Sequence, residues 1–215
     1  MSAFFSELIV TTDEARRAFE TNAAVLEGVA NGLPLDRYRN LLLELSQVVW
    51  HFNPICAAAS SRLTDRHRAI RYFLYDHMKE EAGHEQWVMK DLAAIGTSDE
   101  HIKAHIVSPF TLAMNGYNYS AADRGHPVSV LGMLYTFEVI ASVYGGPFSS
   151  AIKEALLLEG DEGVTFISSH ASMDVKHMAE LRKILDLVHD DDARAAVCES
   201  TRVNFQLLTH LFSSV

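Results

Sequence analysis

His170, Asp174 and His177 lie at spacings of four and three residues, so on a helix their side chains share one stripe. All three are common metal ligands. Burying them together without a counter-ion would be costly, because a desolvated charge or imidazole needs a partner. We therefore expect a helix that brings this stripe to a bound cation inside the fold. The alternative is a solvated polar face with a single Asp–His contact.

A second ligand pair lies upstream, where Glu81 and His84 form a Glu-x-x-His sequence. All-helical carboxylate di-metal proteins use this spacing to direct a carboxylate and an imidazole inward. Taken alone, the pattern also arises by chance on charged helices, and Lys79, Glu80 and Glu85 indicate an exposed face here. The other ligand segments favour the metal interpretation.

Glu138 is the only charged residue between Val128 and Phe148, which predicts a buried carboxylate. Arg or backbone groups could hold it in the core, but it also completes a set of six nitrogen and oxygen ligands on three segments. Such a set without thiolate suits iron or manganese, and its size suggests two ions. The predicted metal-binding and catalytic residues are Glu81, His84, Glu138, His170, Asp174 and His177.

Composition limits the number of domains, the kinds of partner and the cellular location that we expect. The 215 residues are 48% hydrophobic without a compositional break, which predicts one domain over residues 1–215. The net charge of −10, without a basic patch, argues against nucleic acid and membrane surfaces as partners. The N-terminus lacks the pattern of an export signal, so we expect a cytoplasmic protein. Cys56 and Cys198 are too few for a disulfide framework or a thiolate site.

Strand-like alternation is nearly absent, so the sequence predicts an all-α bundle of about seven to nine helices. The apolar stretch 128–148 approaches bilayer-spanning length, but its central Glu138 favours a buried core helix. Glu81 and His84 are expected in the middle of one long helix. The predicted helices cover residues 11–32, 34–63, 65–96, 98–107, 109–125, 128–144, 148–158, a segment up to about 189 that contains His170, and about 192–212, with a break at 145–147.

Three stretches that contain the predicted ligands occur in the same order as in a known family of enzymes. Residues 80–96, 132–138 and 170–177 resemble the haem-oxygenase-like di-iron oxidases and oxygenases, and the resemblance extends over residues 36–190. This group includes the self-sacrificing para-aminobenzoate synthase of chlamydiae, alkene-forming fatty-acid decarboxylases and di-iron N-oxygenases. The resemblance implies a haem-oxygenase-like helical fold. It also implies that the six predicted residues are iron ligands.

The same resemblance implies an enzyme with two Fe ions, cycling between Fe2+ and Fe3+, or with a Mn/Fe pair. Such an enzyme would activate O2 through a peroxo-di-iron intermediate to oxidise a small organic substrate, in keeping with a biosynthetic role. An external electron donor and a homodimer are compatible with this interpretation. The residue before Glu138 is Phe137 rather than a radical-donating tyrosine, so the self-sacrificing activity is not expected.

Two alternatives belong to other classes. A ferritin-like iron oxidase or storage protein would use Glu44 with Glu81, His84, Glu138, Asp174 and His177. A metal-free enzyme or binding protein of the TenA or pyrroloquinoline-quinone synthase type would contact its ligand through the polar stripe directly. Glu80 is a candidate substitute for Glu81. No site role is predicted for the remaining histidines, which are His51, His67, His77, His101, His105, His126, His189 and His210.

Overall fold

A computed structural model describes residues 3–215, and the regular structure in this range is helical, which confirms the all-α prediction. Short 3-10 turns at Asp65–His67 and Pro127–Ser129 precede two of the helices. The α-helices are α1 (Phe4–Thr11), α2 (Asp13–Glu20), α3 (Ala23–Asn31), α4 (Leu35–Arg62), α5 (Arg68–Glu81), α6 (Glu85–Ala94), α7 (Asp99–Ala104), α8 (Pro109–Asp123), α9 (Val130–Ile140), α10 (Gly146–Leu156), α11 (Thr165–Leu185) and α12 (Asp191–Ser214).

The predicted helix over 11–32 is divided into α2 and α3. The Asn22 side chain accepts hydrogen bonds from the backbone N–H groups of Ala24 and Val25, at 2.9 and 3.3 Å. Such a cap satisfies N–H groups that have no partner within a helix and so favours a new start at this point. The helical segments are therefore shorter than the sequence pattern predicted.

The predicted helix over 65–96 is also divided, so the expectation that Glu81 and His84 lie mid-helix is wrong. Glu81 is the last residue of α5, and His84 lies in the turn before α6. Gly83 within this turn has a φ of 99°, in the left-handed region that glycine tolerates without steric cost. The turn interrupts the helix between the two ligand-type side chains.

The predicted break at 145–147 is wrong as well, because the helix continues. A π-helical stretch, Ala141–Gly145, joins α9 directly to α10. Pro147 lies in the first turn of α10, where a missing backbone N–H disturbs the helix least. Widened turns of this kind are common at functional sites.

This continuous helix is the most apolar segment of the described chain. Pro127–Leu156 is long and apolar enough to cross a membrane, but 67% of its most hydrophobic window is buried inside the fold. Side chains of α9 lie in the hydrophobic core together with those of α4 and α12. The burial favours the core helix that Glu138 predicted over a membrane span.

Close backbone contact fixes α9 against α12. A Cβ atom added at Gly132 would lie 2.4 Å from the carbonyl oxygen of Val197 and 2.8 Å from the Cβ of Ser200. The two helices can approach to this distance only because residue 132 has no side chain. Since Glu138 follows on the same helix, this contact also sets where Glu138 lies in the interior.

Gly132→Ala should destabilise the fold by about 1–3 kcal/mol, because the added methyl group overlaps backbone atoms that cannot move independently. Gly116→Ala is the matched control. Gly116 is also helical, but a Cβ atom added there would have no neighbouring atom within 4 Å, so alanine should raise stability by about 0.5–1 kcal/mol. Urea unfolding followed by circular dichroism measures both effects, and equal effects of the two substitutions would contradict the packing argument.

Candidate metal centre

Seven ligand-type side chains meet in the interior between α5, α9 and α11. All six residues selected from the sequence lie there, and one further histidine joins them. They are His77, Glu81, His84, Glu138, His170, Asp174 and His177.

The first ligand group is His77, Glu138 and His177, with Asp174 beside it. Glu138 Oε1 lies 3.4 Å from His77 Nε2 and 3.3 Å from His177 Nδ1. Asp174 Oδ1 lies 3.2 Å from the same His177 nitrogen. All four side chains are buried.

The second ligand group is Glu81, His84 and His170. Glu81 Oε2 lies 2.8 Å from His84 Nδ1 and 3.4 Å from His170 Nε2, and the two imidazole nitrogens are 3.2 Å apart. The groups adjoin, because Glu81 Oε1 lies 3.6 Å from His177 Nδ1. Two ions could therefore be held side by side.

The electrostatics of the metal-free centre are unbalanced. Burial raises the pKa of the Glu138 carboxyl to about 8, which favours its protonated form. Burial lowers the pKa of the His177 imidazole, but the neighbouring carboxylates of Asp174 and Glu138 outweigh it, and the net pKa is raised to about 11. Burial also lowers the pKa of His77 to about 4. Protons therefore partly substitute for cations here.

Partners outside the centre orient two of the imidazoles. His170 Nδ1 lies 2.8 Å from the carbonyl oxygen of Phe166, to which it donates, so its Nε2 lone pair points into the second group. His177 Nε2 lies 3.1 Å from Glu80 Oε2, which leaves Nδ1 directed inward. Holding the far nitrogen of a metal-binding histidine is the usual way in which proteins fix its tautomer and direction.

Asp91 of α6 fixes the start of α11, the helix that carries three of the ligands. Its buried carboxylate accepts hydrogen bonds from the backbone N–H groups of Thr165 and Phe166, at 2.9 and 2.8 Å. These N–H groups have no partner within the helix, and an anion there is favoured by the helix dipole. Asp91 thus ties α11 to the helix that follows His84.

Glu80 does not take the place of Glu81. The Glu80 side chain is 38% exposed and contacts Lys176 Nζ at 3.0 Å, on the outer side of α11. Its contact with the centre is through the outward nitrogen of His177. Glu81 is the carboxylate that faces inward from α5.

His77 is the residue that sequence reasoning missed, and the expectation that it has no site role disagrees with its position. A signal was present, since His77, Glu81 and His84 repeat the spacing of four and three found in His170, Asp174 and His177. The two motifs meet in antiparallel fashion. His77 lies 4.8 Å from His177, and His84 lies 4.9 Å from His170, between ring centroids.

Glu44, the additional ligand that a ferritin-like centre would require, lies elsewhere. Its buried carboxylate accepts from the backbone N–H of Ser108 at 3.0 Å and lies 2.8 Å from His105 Nε2. It secures the chain that leads into α8. The structure therefore contradicts Glu44 as a ligand.

An apolar cavity of about 160 Å3 opens onto the centre. Four ligand side chains, Glu81, Glu138, His170 and Asp174, form one part of its wall. Most of the remaining wall is apolar and comes from α3, α4, the π-helical stretch, α11 and α12, with Tyr144 as a further polar side chain. None of the lining residues is Lys or Arg.

The sequence from 39 to 208 matches the family model described as iron-containing redox enzyme. This match covers most of the chain and includes all seven ligand-type residues. The chain belongs to the iron-containing redox enzyme family. Because the family is described as iron-containing, the question is whether the residues of the centre fit iron.

Solved structures similar to this family member show the fold. A domain of unknown function with a haem-oxygenase-like fold from Shewanella denitrificans is 22% identical, with a TM-score of 0.82 over 95% of this chain and 88% of that one. A TenA homologue from Pseudomonas syringae is 14% identical, with a TM-score of 0.79 over 98% and 91%. The haem oxygenase of Leptospira interrogans is 15% identical, with a TM-score of 0.79 over 99% and 100%.

The haem-oxygenase-like fold expected from the resemblance is thus confirmed. Among curated proteins, no sequence matches this chain significantly. Sequence identities this low show that the folds are similar, but they do not show a shared activity, because one fold supports many functions. The chemistry has to be argued from the centre itself.

Iron fits the residues of the centre. Within the described residues, His77 Nε2, Glu138 Oε2, Asp174 Oδ1 and His177 Nδ1 are buried without a hydrogen-bond partner. Each such atom costs about 1–3 kcal/mol when left unpaired. A cation among them would satisfy them all, and imidazole and carboxylate are ligands that iron accepts.

His77→Phe should weaken iron binding at the first group by at least about tenfold, because it removes a ligand nitrogen. The phenyl ring keeps the aromatic contact with Phe73, whose centroid lies 5.5 Å from the imidazole. His51→Phe is the control, since His51 contacts Tyr119 outside the centre. Anaerobic Fe(II) titration measures the effect, and equal affinities for the two variants would remove His77 from the ligand set.

Metal affinity should rise as the pH increases from about 6 to about 8, because metal must displace protons from buried ligands. Glu138, with its pKa raised to about 8, is increasingly ionised across this interval. His177, with its pKa raised to about 11, stays protonated and must release a proton throughout. Calorimetry with Mn(II) in buffers of different ionisation enthalpy counts the protons, and an affinity independent of pH would contradict this assignment.

Proposed function

We propose that this protein is a non-haem di-iron enzyme that uses O2 to oxidise a small, largely apolar organic substrate. The observation that carries the proposal is the pair of adjoining ligand groups in the wall of an apolar cavity. When bound, two irons would supply two electrons to O2 and a positive charge for an anionic group. The chain's own residues set how both reactants are held.

The ligand charges support binding of an anion at the centre. Glu81, Glu138 and Asp174 bring three negative charges against the four positive charges of two Fe(II) ions, so a net positive charge remains. Since the described residues of the cavity wall include no Lys or Arg, a substrate inside would meet positive charge at the metal ions. A carboxylate at one end of an apolar substrate is therefore favoured.

The apolar wall supports oxidation over hydrolysis. Phe52, Phe137 and Phe148 enclose the space next to the ligands, and few polar side chains are present to hold water there. Excluding water protects reactive species and strengthens electrostatic interactions at the centre. The bond oxidised would be a C–H, C–C or N–H bond of the substrate.

A haem-binding function is less well supported. Haem carries two propionates, and the cavity wall offers no cationic side chain to pair with them. Its one histidine, His170, is bound to Glu81 and Phe166 and faces other imidazoles. The residues therefore favour metal ions over a porphyrin.

The fold is compatible with the metal-free alternative of the TenA or pyrroloquinoline-quinone synthase type, since a TenA homologue has a similar structure. Against it, a ligand bound directly by the polar stripe would have to satisfy nitrogen and oxygen atoms from both ligand groups. Metal analysis separates the two possibilities.

We also propose that the protein is cytoplasmic and has neither nucleic-acid nor membrane partners. This proposal is compatible with a homodimer and with an external electron donor.

Anaerobic Fe(II) titration should reach two equivalents per chain, because the two ligand groups together exceed the needs of one ion. Exposure to O2 should then produce a visible absorption band that decays faster with the right substrate. Aliphatic and aromatic carboxylic acids form the test panel, with uncharged analogues for comparison. Binding of no metal, or of one ion only, would contradict the di-iron proposal.

Ala141→Phe should abolish substrate-dependent O2 consumption while the iron content stays unchanged. Ala141 lines the cavity, so the larger ring would fill the space next to Glu138. Val143→Phe is the matched control in the same π-helical stretch, since Val143 is 53% exposed and outside the cavity. Oxygen-electrode assays of both variants measure this, and full activity of Ala141→Phe would place the substrate elsewhere.

A further inference from the structure

Trp87 is an oxidisable side chain in direct contact with two of the ligand imidazoles. Its indole ring stacks on the His84 imidazole, with centroids 3.9 Å apart and planes inclined by 21°. It also meets the edge of His170 at a centroid distance of 5.7 Å. Both imidazoles of the second ligand group thus touch one indole.

The other aromatic rings around the ligand imidazoles are phenyl groups. Phe52 and Phe73 contact His77, and Phe166 contacts His170. A phenyl ring resists one-electron oxidation, whereas indole is among the most easily oxidised side chains. Among the described aromatic neighbours of these imidazoles, Trp87 alone can give up an electron readily.

Trp87 is half-buried, so its ring connects the centre with the protein surface. It does not line the cavity, whereas Glu81, His170 and the other cavity ligands do. Electrons could therefore reach the ligands through Trp87 without crossing the substrate site. This separation is what a relay requires, since an electron donor and a substrate could act together.

We propose that Trp87 is a one-electron relay that protects the centre when O2 is reduced without substrate. This inference rests on the proposed function. Reduction of O2 to two waters takes four electrons and four protons. Two bound Fe(II) ions would supply two of these electrons, and substrate oxidation would supply the other two.

Without substrate, Trp87 supplies the third electron. Its indole ring loses one electron and passes its N–H proton toward solvent, which leaves a neutral indolyl radical. A soluble one-electron reductant such as ascorbate returns an electron and a proton to Trp87, and it also supplies the fourth electron to O2. The net result is four electrons delivered, with Trp87 and the ligands unchanged.

The test exposes Fe(II)-loaded protein to O2 without substrate and follows radicals by electron paramagnetic resonance. Wild type should give an indolyl radical that ascorbate removes. Trp87→Tyr should give a tyrosyl radical, and Trp87→Phe should give none and instead lose iron through oxidation of its ligands. Trp50→Phe is the control, because Trp50 is 64% exposed on α4 and the chain has no third tryptophan.

Iron content and O2 consumption of each variant separate the two proposals. If Fe(II)-loaded wild type consumes no O2, the proposed function fails, and the relay fails with it. If O2 is consumed but Trp87→Phe gives the same radical as wild type, or Trp50→Phe abolishes it, only the relay is overturned. When ascorbate is omitted, peptide mass spectrometry after repeated O2 exposure should find added oxygen at Trp87, and oxidation confined to Trp50 would also overturn the relay.

Discussion

The cost of removing water from imidazoles and carboxylates is the constraint on which the rest of this structure depends. Four histidines and three acidic residues converge in the interior, and several of their atoms find no partner in the described protein. Protein alone cannot offset this cost, because each unpaired buried group lowers stability and the like-charged carboxylates repel one another. A cation bound among these groups would offset the desolvation cost and reduce the repulsion between the carboxylates.

Much of the surrounding structure serves to direct these side chains. Asp91 holds the start of α11, and Glu80 holds the outward nitrogen of His177. The turn at Gly83 separates Glu81, at the end of α5, from His84, which directly precedes α6. Each contact joins elements that are distant in sequence, which makes the centre a property of the assembled fold and not of one segment.

The sequence revealed the ligand stripe on α11 because spacings of four and three have a direct geometric meaning on a helix. The all-helical class followed from the near absence of strand-like alternation. His77 has no predicted role, although it precedes Glu81 by four residues, as His170 precedes Asp174. The turn at Gly83 and the antiparallel meeting of two motifs depend on tertiary packing, which local pattern does not encode.

The role of Glu44 and the position of the cavity also depend on tertiary packing. Glu44 matched a ferritin-like pattern by its distance along the chain, but its carboxylate is used to hold Ser108 and His105. The cavity could not be predicted, since lining residues such as Ile167 and Phe148 have the same character as core residues. Periodicity therefore identifies which side chains share a face, and the fold decides what that face meets.

The π-helical stretch changes the direction in which the side chains of α10 point relative to those of α9. An α-helix turns by about 100° per residue, so a single extra residue taken up in a widened turn rotates everything after it by that angle. Before the stretch, α9 directs Glu138 to the metal ligands, and after it, α10 brings Phe148 against Gly28. If residues 141–145 formed regular α-helical turns at unchanged length, Phe148 would be turned away from both Gly28 and the cavity, so the widened turn itself sets where Phe148 lies.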